Sequence, residues 1–281
     1  MTQNASDKKT TLVIGGTGKT GRRVANRLAA EGQCVRIGSR SAIPAFDWNR
    51  EDGWDAALSG VSSIYITYSP DLAMPGATDA IRALVRRAKL QGVERLVLLS
   101  GRGETEAQAC EQIVQDSGLK WTIVRASWFN QNFSEGAFID MVLSGAITLP
   151  AGETPEPFVD VDDIADVAAA ALMDDRHNGE IYEVTGPRLM TMADIAADLS
   201  NATGREIAYI DVPHDAFIEG LTQSGAPEDV VWMLDYLFST VLDGRNAHLA
   251  DGVARALGRP AKDFRDYARE VAETGAWRVA A

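Results

Sequence analysis

The stretch from Thr11 to Gly21, T-L-V-I-G-G-T-G-K-T-G, constrains what this chain can fold into more than any other. Leu12, Val13 and Ile14 form a short apolar run that reads as a buried strand, and the glycines begin where it stops. Gly15, Gly18 and Gly21 follow at G-x-x-G-x-x-G spacing. Beyond them the pattern turns helical, with Val24, Leu28 and Ala29 on one side and Arg22, Arg23, Asn26 and Arg27 on the other. A strand, a loop almost free of side chains and a helix start, in that order, suit a nucleotide pyrophosphate. Backbone N–H groups approach its oxygens, and the positive end of the helix favours the anion. An isolated glycine pattern also describes an ordinary turn. The strand before it, the helix after it and a second strand at the expected distance make it specific. Gly15, Thr17, Gly18, Lys19, Thr20 and Gly21 are therefore the first candidate cofactor-binding residues.

The second strand, Cys34 to Ile37, ends in Gly38-Ser39-Arg40. In dinucleotide folds this strand end faces the adenosine ribose, where an acidic residue selects a free 2'-hydroxyl and an arginine accommodates a 2'-phosphate. Ser39 and Arg40 stand here with no Asp or Glu between them, which favours NADPH and leaves NADH possible. Asp47 is placed to reach the adenine amino group. A third strand, Val61 to Thr67, runs into Tyr68-Ser69-Pro70-Asp71, where Tyr68 is expected to touch cofactor or substrate, or simply to pack.

A helix is expected over Gly76 to Gln91, a fourth strand over Arg95 to Leu99 running into Ser100-Gly101-Arg102-Gly103, a helix over Glu104 to Asp116 and a fifth strand over Trp121 to Val124. Strand and helix alternate throughout, which predicts an α/β fold with a parallel, doubly wound sheet of the Rossmann type. From Ser127 the rhythm changes to aromatics and amides, Ser127-Trp128-Phe129-Asn130-Gln131-Asn132-Phe133, followed by an inserted helix and a small strand between Glu135 and Gly152. A helix from Asp163 to Met173 and a strand from Glu180 to Thr185 return to the sheet, and a capped helix runs from Thr191 to Thr203. The remainder, Ile207 to about Ala276, is expected to be mostly helical. The division that follows is a flexible tail at 1–9, a dinucleotide-binding domain of 10–129 plus about 158–186, and a smaller, mostly helical substrate lobe of 130–157 plus 187–281.

A formal net charge of −13 argues against a general nucleic-acid surface, which needs basic patches. The longest wholly apolar run, Val167 to Met173, falls far short of the ~20 residues that span a bilayer. The N-terminal residues show no apolar core or cleavage pattern, so a cytoplasmic location is expected. Cys34 and Cys110 lack metal or redox spacing and are expected to be buried. Asp160, Asp162, Asp163 and Asp166 suit a helix start better than a metal, with Asp162 or Asp163 as the cap, and no metal is expected. His177, His214 and His248 lie far apart and are expected at surface or capping positions.

Taken together, the motifs resemble the NmrA-like branch of the short-chain dehydrogenase/reductase superfamily. The resemblance is carried by G-G-T-G-K-T-G at Gly15 to Gly21, Ser39-Arg40, F-D-W at Phe46 to Trp48 and L-L-S-G at Leu98 to Gly101. It continues in S-G-L-K-W-T-I-V-R-A at Ser117 to Ala126, W-F-N-Q-N-F at Trp128 to Phe133 and F-V-D-V-D-D-I-A at Phe158 to Ala165. These cover most of residues 10 to 205 in the family's order. The resemblance implies a nicotinamide-binding fold, with Ser100 and Gly101 beside the cofactor. It places the chain among quinone, azo and iminium reductases, natural-product tailoring enzymes and cofactor-binding redox sensors.

One departure narrows the chemistry. Many superfamily members carry a Tyr and a Lys four residues apart at the start of the helix after Ser100, where the Tyr protonates a carbonyl oxygen. Here those places fall on Gly103 and Ala107, and Arg102 to Asp116 holds neither residue type in any register. A reductase without that acid suits acceptors that need only a hydride, since a quinone becomes a stabilised phenolate and an iminium a neutral amine. Tyr68, Trp128, Phe129 and Phe133 would supply an aromatic wall, with Asn130, Gln131, Asn132 or Arg102 orienting the acceptor's oxygens. The expectation is therefore an NAD(P)H-dependent oxidoreductase acting on a quinone-type or polycyclic aromatic substrate, as in aromatic polyketide tailoring, with its catalytic residues unassigned. The alternative is an NADP(H)-binding sensor or regulatory protein that performs no chemistry.

Overall fold

The computed structural model describes residues 9–279 except 137. The expected tail over 1–9 lies outside the described residues apart from Lys9, which pairs with Glu94 at 2.5 Å. The first half of the chain runs β1 (Thr10–Ile14), α1 (Lys19–Ala30), β2 (Cys34–Gly38), α2 (Trp54–Leu58), β3 (Val61–Ile66), α3 (Ala77–Leu90), β4 (Arg95–Gly101), α4 (Thr105–Gln115) and β5 (Lys120–Ala126). It continues through α5 (Ile139–Ser144), β6 (Ala146–Leu149), α6 (Val161–Met173), β7 (Glu180–Val184), α7 (Met192–Thr203) and β8 (Ala208–Asp211). The helices α8 (His214–Gln223), α9 (Glu228–Tyr236), α10 (Gly252–Leu257) and α11 (Phe264–Thr274) complete it.

Six strands form one sheet in the order β2-β1-β3-β4-β5-β7. β1 pairs in parallel with β2 from Thr10↔Cys34 to Ile14↔Gly38 and with β3 on its other side, so successive connections leave β1 in opposite directions. That reversal creates a crevice at the carboxyl ends of β1 and β3, where open α/β sheets take their ligands. Leu12, Val13 and Ile14 are wholly buried, as a strand covered on both faces requires. Leu12, Ile14, Ile64, Ile66, Leu96 and Leu98 turn to one face of the sheet and pack with Ile81 and Leu84 of α3 and with Ala107, Cys110 and Val114 of α4. Full burial of each such side chain contributes about 1.5–3 kcal/mol.

The described residues form two compact units. The first holds the chain up to Arg125, Ile164–Tyr182 and Arg255–Leu257; the second holds Ala126–Asp163, Glu183–Ala254 and Gly258 onward. The second has its own core, in which Phe133, Phe138, Ile147, Phe158, Leu199, Phe264 and Tyr267 are buried. It also contains a two-stranded parallel sheet, β6 beside β8 from Ala146↔Ala208 to Leu149↔Asp211, so the region after Ile207 is not wholly helical. α7 starts in a capping box between Thr191 and Asp194.

Several local expectations change. Ala29 is exposed and Ala25 takes its inward place on α1, one step round the 3.6-residue turn. Cys34 is half-buried; Cys110 is buried. His177 is buried, not at the surface, and its Nδ1 shares a 2.8 Å hydrogen bond with the Tyr182 hydroxyl. Asp160, not Asp162 or Asp163, caps α6, its Oδ1 accepting the Asp162 N–H at 2.7 Å. Asp163 instead accepts from Arg259 at 2.6 Å and from the Lys262 N–H at 2.7 Å, and Asp166 pairs with Arg27. This acidic run is engaged in holding backbone and side chains together.

Candidate functional site

The glycine loop joins β1 to α1 at the sheet's reversal. Gly15 has φ +67°, a left-handed conformation that favours glycine, and its N–H donates to Gly38 O at 2.9 Å. A side chain there would strike Thr67, whose Oγ1 donates to Ile14 O at 3.0 Å and ties the end of β3 to the end of β1. Gly18 donates to Gly15 O at 2.8 Å and occupies the cap position of α1. No side chain caps this helix and its first turn carries no acidic residue. Its leading N–H groups and positive dipole end are thus left for an anion. At Gly21 a Cβ would run into the backbone of Gly15 and stand 2.7 Å from its carbonyl carbon, so only glycine lets the helix start this close to the loop. Thr17 and Gly18 are exposed and Lys19 is half-buried, whereas Thr20 is buried beside the Tyr65 phenol, whose ionisation burial strongly opposes. This cradle fits the pyrophosphate of a dinucleotide.

Around it, Arg40 is exposed just beyond β2 and Ser39 is half-buried, its Oγ 3.3 Å from that of Ser41. Asp47 is held in its loop: its Oδ1 accepts the Asn49 N–H at 3.0 Å, and its carbonyl accepts the Trp54 indole at 2.7 Å. Tyr68 is half-buried with its ring centroid 4.9 Å from that of Trp48, and burial raises its phenol above the ordinary range. A cleft of about 250 Å³ lined by Lys9, Thr11, Ser63, Glu94, Arg95 and Lys120 lies at the opposite, amino end of these strands and has no part in this arrangement.

At the end of β4 the side chains are committed to one another. The Ser100 hydroxyl donates to Glu111 Oε1 at 2.6 Å, and Arg125 grips the same carboxylate in bidentate fashion, Nε to Oε1 at 2.9 Å and Nη2 to Oε2 at 2.5 Å. Glu111 is only 1% exposed on the inward face of α4. Glu111 escaped the sequence reading, because a carboxylate reads as a surface residue until its arginine partner on β5 is known.

A second carboxyl at this end also escaped the sequence reading. Glu104, at the cap position of α4, is 5% exposed and makes no capping bond. Its carboxyl folds back over Gly101, where any Cβ would collide with it, and hydrogen-bonds with the Asp71 carboxyl from the loop after β3. Burial and the Asp71 charge push its ionisation well above the carboxylate range, and burial raises Asp71 as well.

The substrate candidates fall in both units. Tyr68 and Arg102 belong to the first; Trp128, Phe129, Asn132 and Phe133 belong to the second. One of them presents no surface to a ligand, and a second very little. Phe133 is wholly buried against Phe138, Phe158 and Phe264, with its carbonyl accepting the Trp277 indole at 2.8 Å, and Arg102 is only 4% exposed. Trp128 is half-buried, 5.3 Å from the Phe238 ring, and Phe129 and Asn132 are also half-buried. Gln131 is engaged with Asp160 Oδ1 and the Val161 N–H, each at 2.9 Å. Asn130 is wholly buried, and neither atom of its amide has a hydrogen-bond partner.

A parallel sheet reversing at β1 and a bare helix start behind three spaced glycines define a dinucleotide-binding α/β protein. A family model described as NAD(P)H-binding matches residues 15–175. The chain is 30% identical to an NAD(P)H azoreductase of Xenophilus azovorans, over 92% of this chain and 96% of the relative. It is 32% identical to a (4-alkanoyl-5-oxo-2,5-dihydrofuran-3-yl)methyl phosphate reductase of Streptomyces griseus, over 93% and 98%. Its fold matches a solved structure of an NmrA variant at TM-score 0.72 and 18% identity, over 96% and 97% of the two chains. The chain belongs to this NAD(P)H-binding oxidoreductase family. Among the described residues no helix is long and apolar enough to cross a membrane, and no group of His, Cys, Asp and Glu is arranged to hold a metal ion.

Proposed function

We propose that this protein is an NAD(P)H-dependent reductase of the NmrA-like type that prefers NADPH and reduces a quinone-type or polycyclic aromatic acceptor, as in aromatic polyketide tailoring. The observation that carries the reading is the pairing of an uncapped helix start behind Gly15, Gly18 and Gly21 with an α4 region that holds no Tyr or Lys. The first supports tight cofactor binding. The second supports acceptors whose reduced form is stabilised by resonance rather than by a phenolic acid from the protein. The azoreductase relative, which reduces another conjugated acceptor class, is consistent with this choice.

In this reading the bound reduced nicotinamide supplies a hydride. Gly15, Thr17, Gly18, Lys19, Thr20 and Gly21 hold the pyrophosphate. Ser39 and Arg40 take the ribose 2'-phosphate, Asp47 the adenine, and Tyr68, Ser100 and Gly101 line the nicotinamide side. Ser100 acts through its backbone, because its hydroxyl is committed to Glu111. Tyr68 is the proposed substrate contact of the first unit; Trp128, Phe129 and Asn132 are candidates carried from the sequence alone, each to be substituted separately. The test is NADPH consumption by purified protein across quinones, polycyclic aromatic ketones, azo compounds and iminium ions. Turnover of simple aliphatic ketones with none of the conjugated acceptors would refute the assignment.

A further inference from the structure

No Tyr or Lys stands on α4 to donate a proton, yet the same end of the sheet holds an unused acid. Glu104 and Asp71 come from independent elements, the start of α4 and the loop after β3, and meet at the carboxyl ends of β3 and β4. Four features set Glu104 apart from a structural carboxylate. It stands at a helix cap position but makes no capping bond. Its Oε2 is buried with no hydrogen-bond donor beside it. The charges that act most strongly on its ionisation, those of Asp71, Glu106 and Glu111, are all negative. The Gly101 backbone is bare where the carboxyl lies, and a single methyl there would expel it. The groups facing the pair are Glu106 and Glu111 of α4, with Cys110 beside Asp71 and the Arg82 guanidinium of α3, paired with Asp79, acting on Cys110; Glu106 and Glu111 both add to the cost of ionising Glu104. A carboxyl in such surroundings keeps its proton near neutrality, the condition for a general acid.

We propose that Glu104 is the proton donor of this site, with Asp71 as the partner that retains the proton on it, and that the acceptors it serves are those whose heteroatom must be protonated as they are reduced, such as azo nitrogens and enone oxygens. The inference rests on the reductase reading above and deepens it. Two electrons and one hydrogen reach the acceptor from the reduced nicotinamide. The π bond to the heteroatom breaks, and its electron pair takes the proton from the Glu104 carboxyl. That leaves oxidised nicotinamide and a Glu104 carboxylate that regains a proton from water. Glu104 would touch the acceptor's heteroatom, and Asp71 is a positioning residue.

The experiment compares wild type with Glu104→Gln, Asp71→Asn and the control Glu106→Gln, an exposed neighbour on the same helix. Turnover of an azo compound and an enone is measured against a quinone across pH, together with NADPH affinity. In the protein without cofactor, carboxyl ¹³C shifts report the proton on Glu104 directly. Wild type is expected to lose azo and enone turnover as pH rises above neutrality and to hold a protonated Glu104 at neutral pH. Glu104→Gln should lower the azo-to-quinone and enone-to-quinone ratios by about 100-fold and abolish that descending limb. Asp71→Asn removes a neighbouring negative charge and should move the limb to lower pH, a shift that a purely structural pair would not produce. Glu106→Gln should leave the ratios as they are. Wild-type turnover with unchanged ratios and limb in Glu104→Gln overturns the proposal and leaves the reductase reading standing, as does an ionised Glu104 at neutral pH. Wild type that consumes no NADPH with any acceptor overturns both.

Discussion

Gly21 shows at residue scale how the loop is specified. The carbonyl of Gly15 fills the space a methyl group would need, so Gly21→Ala must push the helix start away from the loop. Overpacking of this kind costs about 1–3 kcal/mol, and NADPH affinity is expected to fall at least about tenfold, both measurable by thermal unfolding and fluorescence titration. Arg40 is a different case, exposed and separable from the scaffold. Losing a charge-assisted contact to a 2'-phosphate costs about 1.5–3 kcal/mol, so Arg40→Ala should weaken NADPH by about 10- to 100-fold and leave NADH nearly unaffected. Equal loss for both cofactors would remove the basis for an NADPH preference. The glycines were legible because their constraint is local and backbone-borne. Phe133 was not: an aromatic in an amide-rich segment reads as a ligand wall until Phe138, Phe158 and Phe264 are seen to close round it.

At the scale of elements, β4, α4 and β5 are locked by one buried carboxylate. Arg125→Ala leaves Glu111 buried beside Ser100 without its cation, which should destabilise the protein by about 3 kcal/mol in denaturant unfolding. A loss under about 0.5 kcal/mol would mean the pair is replaceable by water. The alternation of apolar strands with amphipathic helices from Thr10 to Ala126 was readable, because β1, β3 and the middles of β4 and β5 are buried on both faces and the long helices show one apolar stripe. β8 was not. Its four residues, A-Y-I-D, are largely exposed, and what makes them a strand is the parallel edge of β6 about sixty residues earlier, which no local pattern reveals. The Glu104–Asp71 pair was hidden for the same reason, since its members lie in different loops and each alone reads as solvated.

For the whole molecule, a net charge of −13 and a buried carboxyl whose ionisation is pushed up both bear on pH behaviour. Glu104 is raised from 4.5 to about 9, so across that range the native chain binds a proton that the unfolded chain has released. Stability contributed by this group is therefore fully present at low pH and falls as pH rises toward 9. Glu104→Gln removes the ionisation and should raise Tm at pH 8 by about 2–4 °C while flattening its decline between pH 5 and 9. An unchanged slope in calorimetry would mean that Glu104 is ionised in the native state.

The measurement closest to the central claim is stopped-flow absorbance in the reduced-nicotinamide band, mixing protein and NADPH with the panel of quinones, polycyclic aromatic ketones, azo compounds and iminium ions. The account predicts NADPH loss with at least one conjugated class, saturable in acceptor and slowed by Gly21→Ala at limiting NADPH. Tight NADPH binding with no loss across the whole panel would contradict it and identify a cofactor-binding protein that performs no hydride transfer.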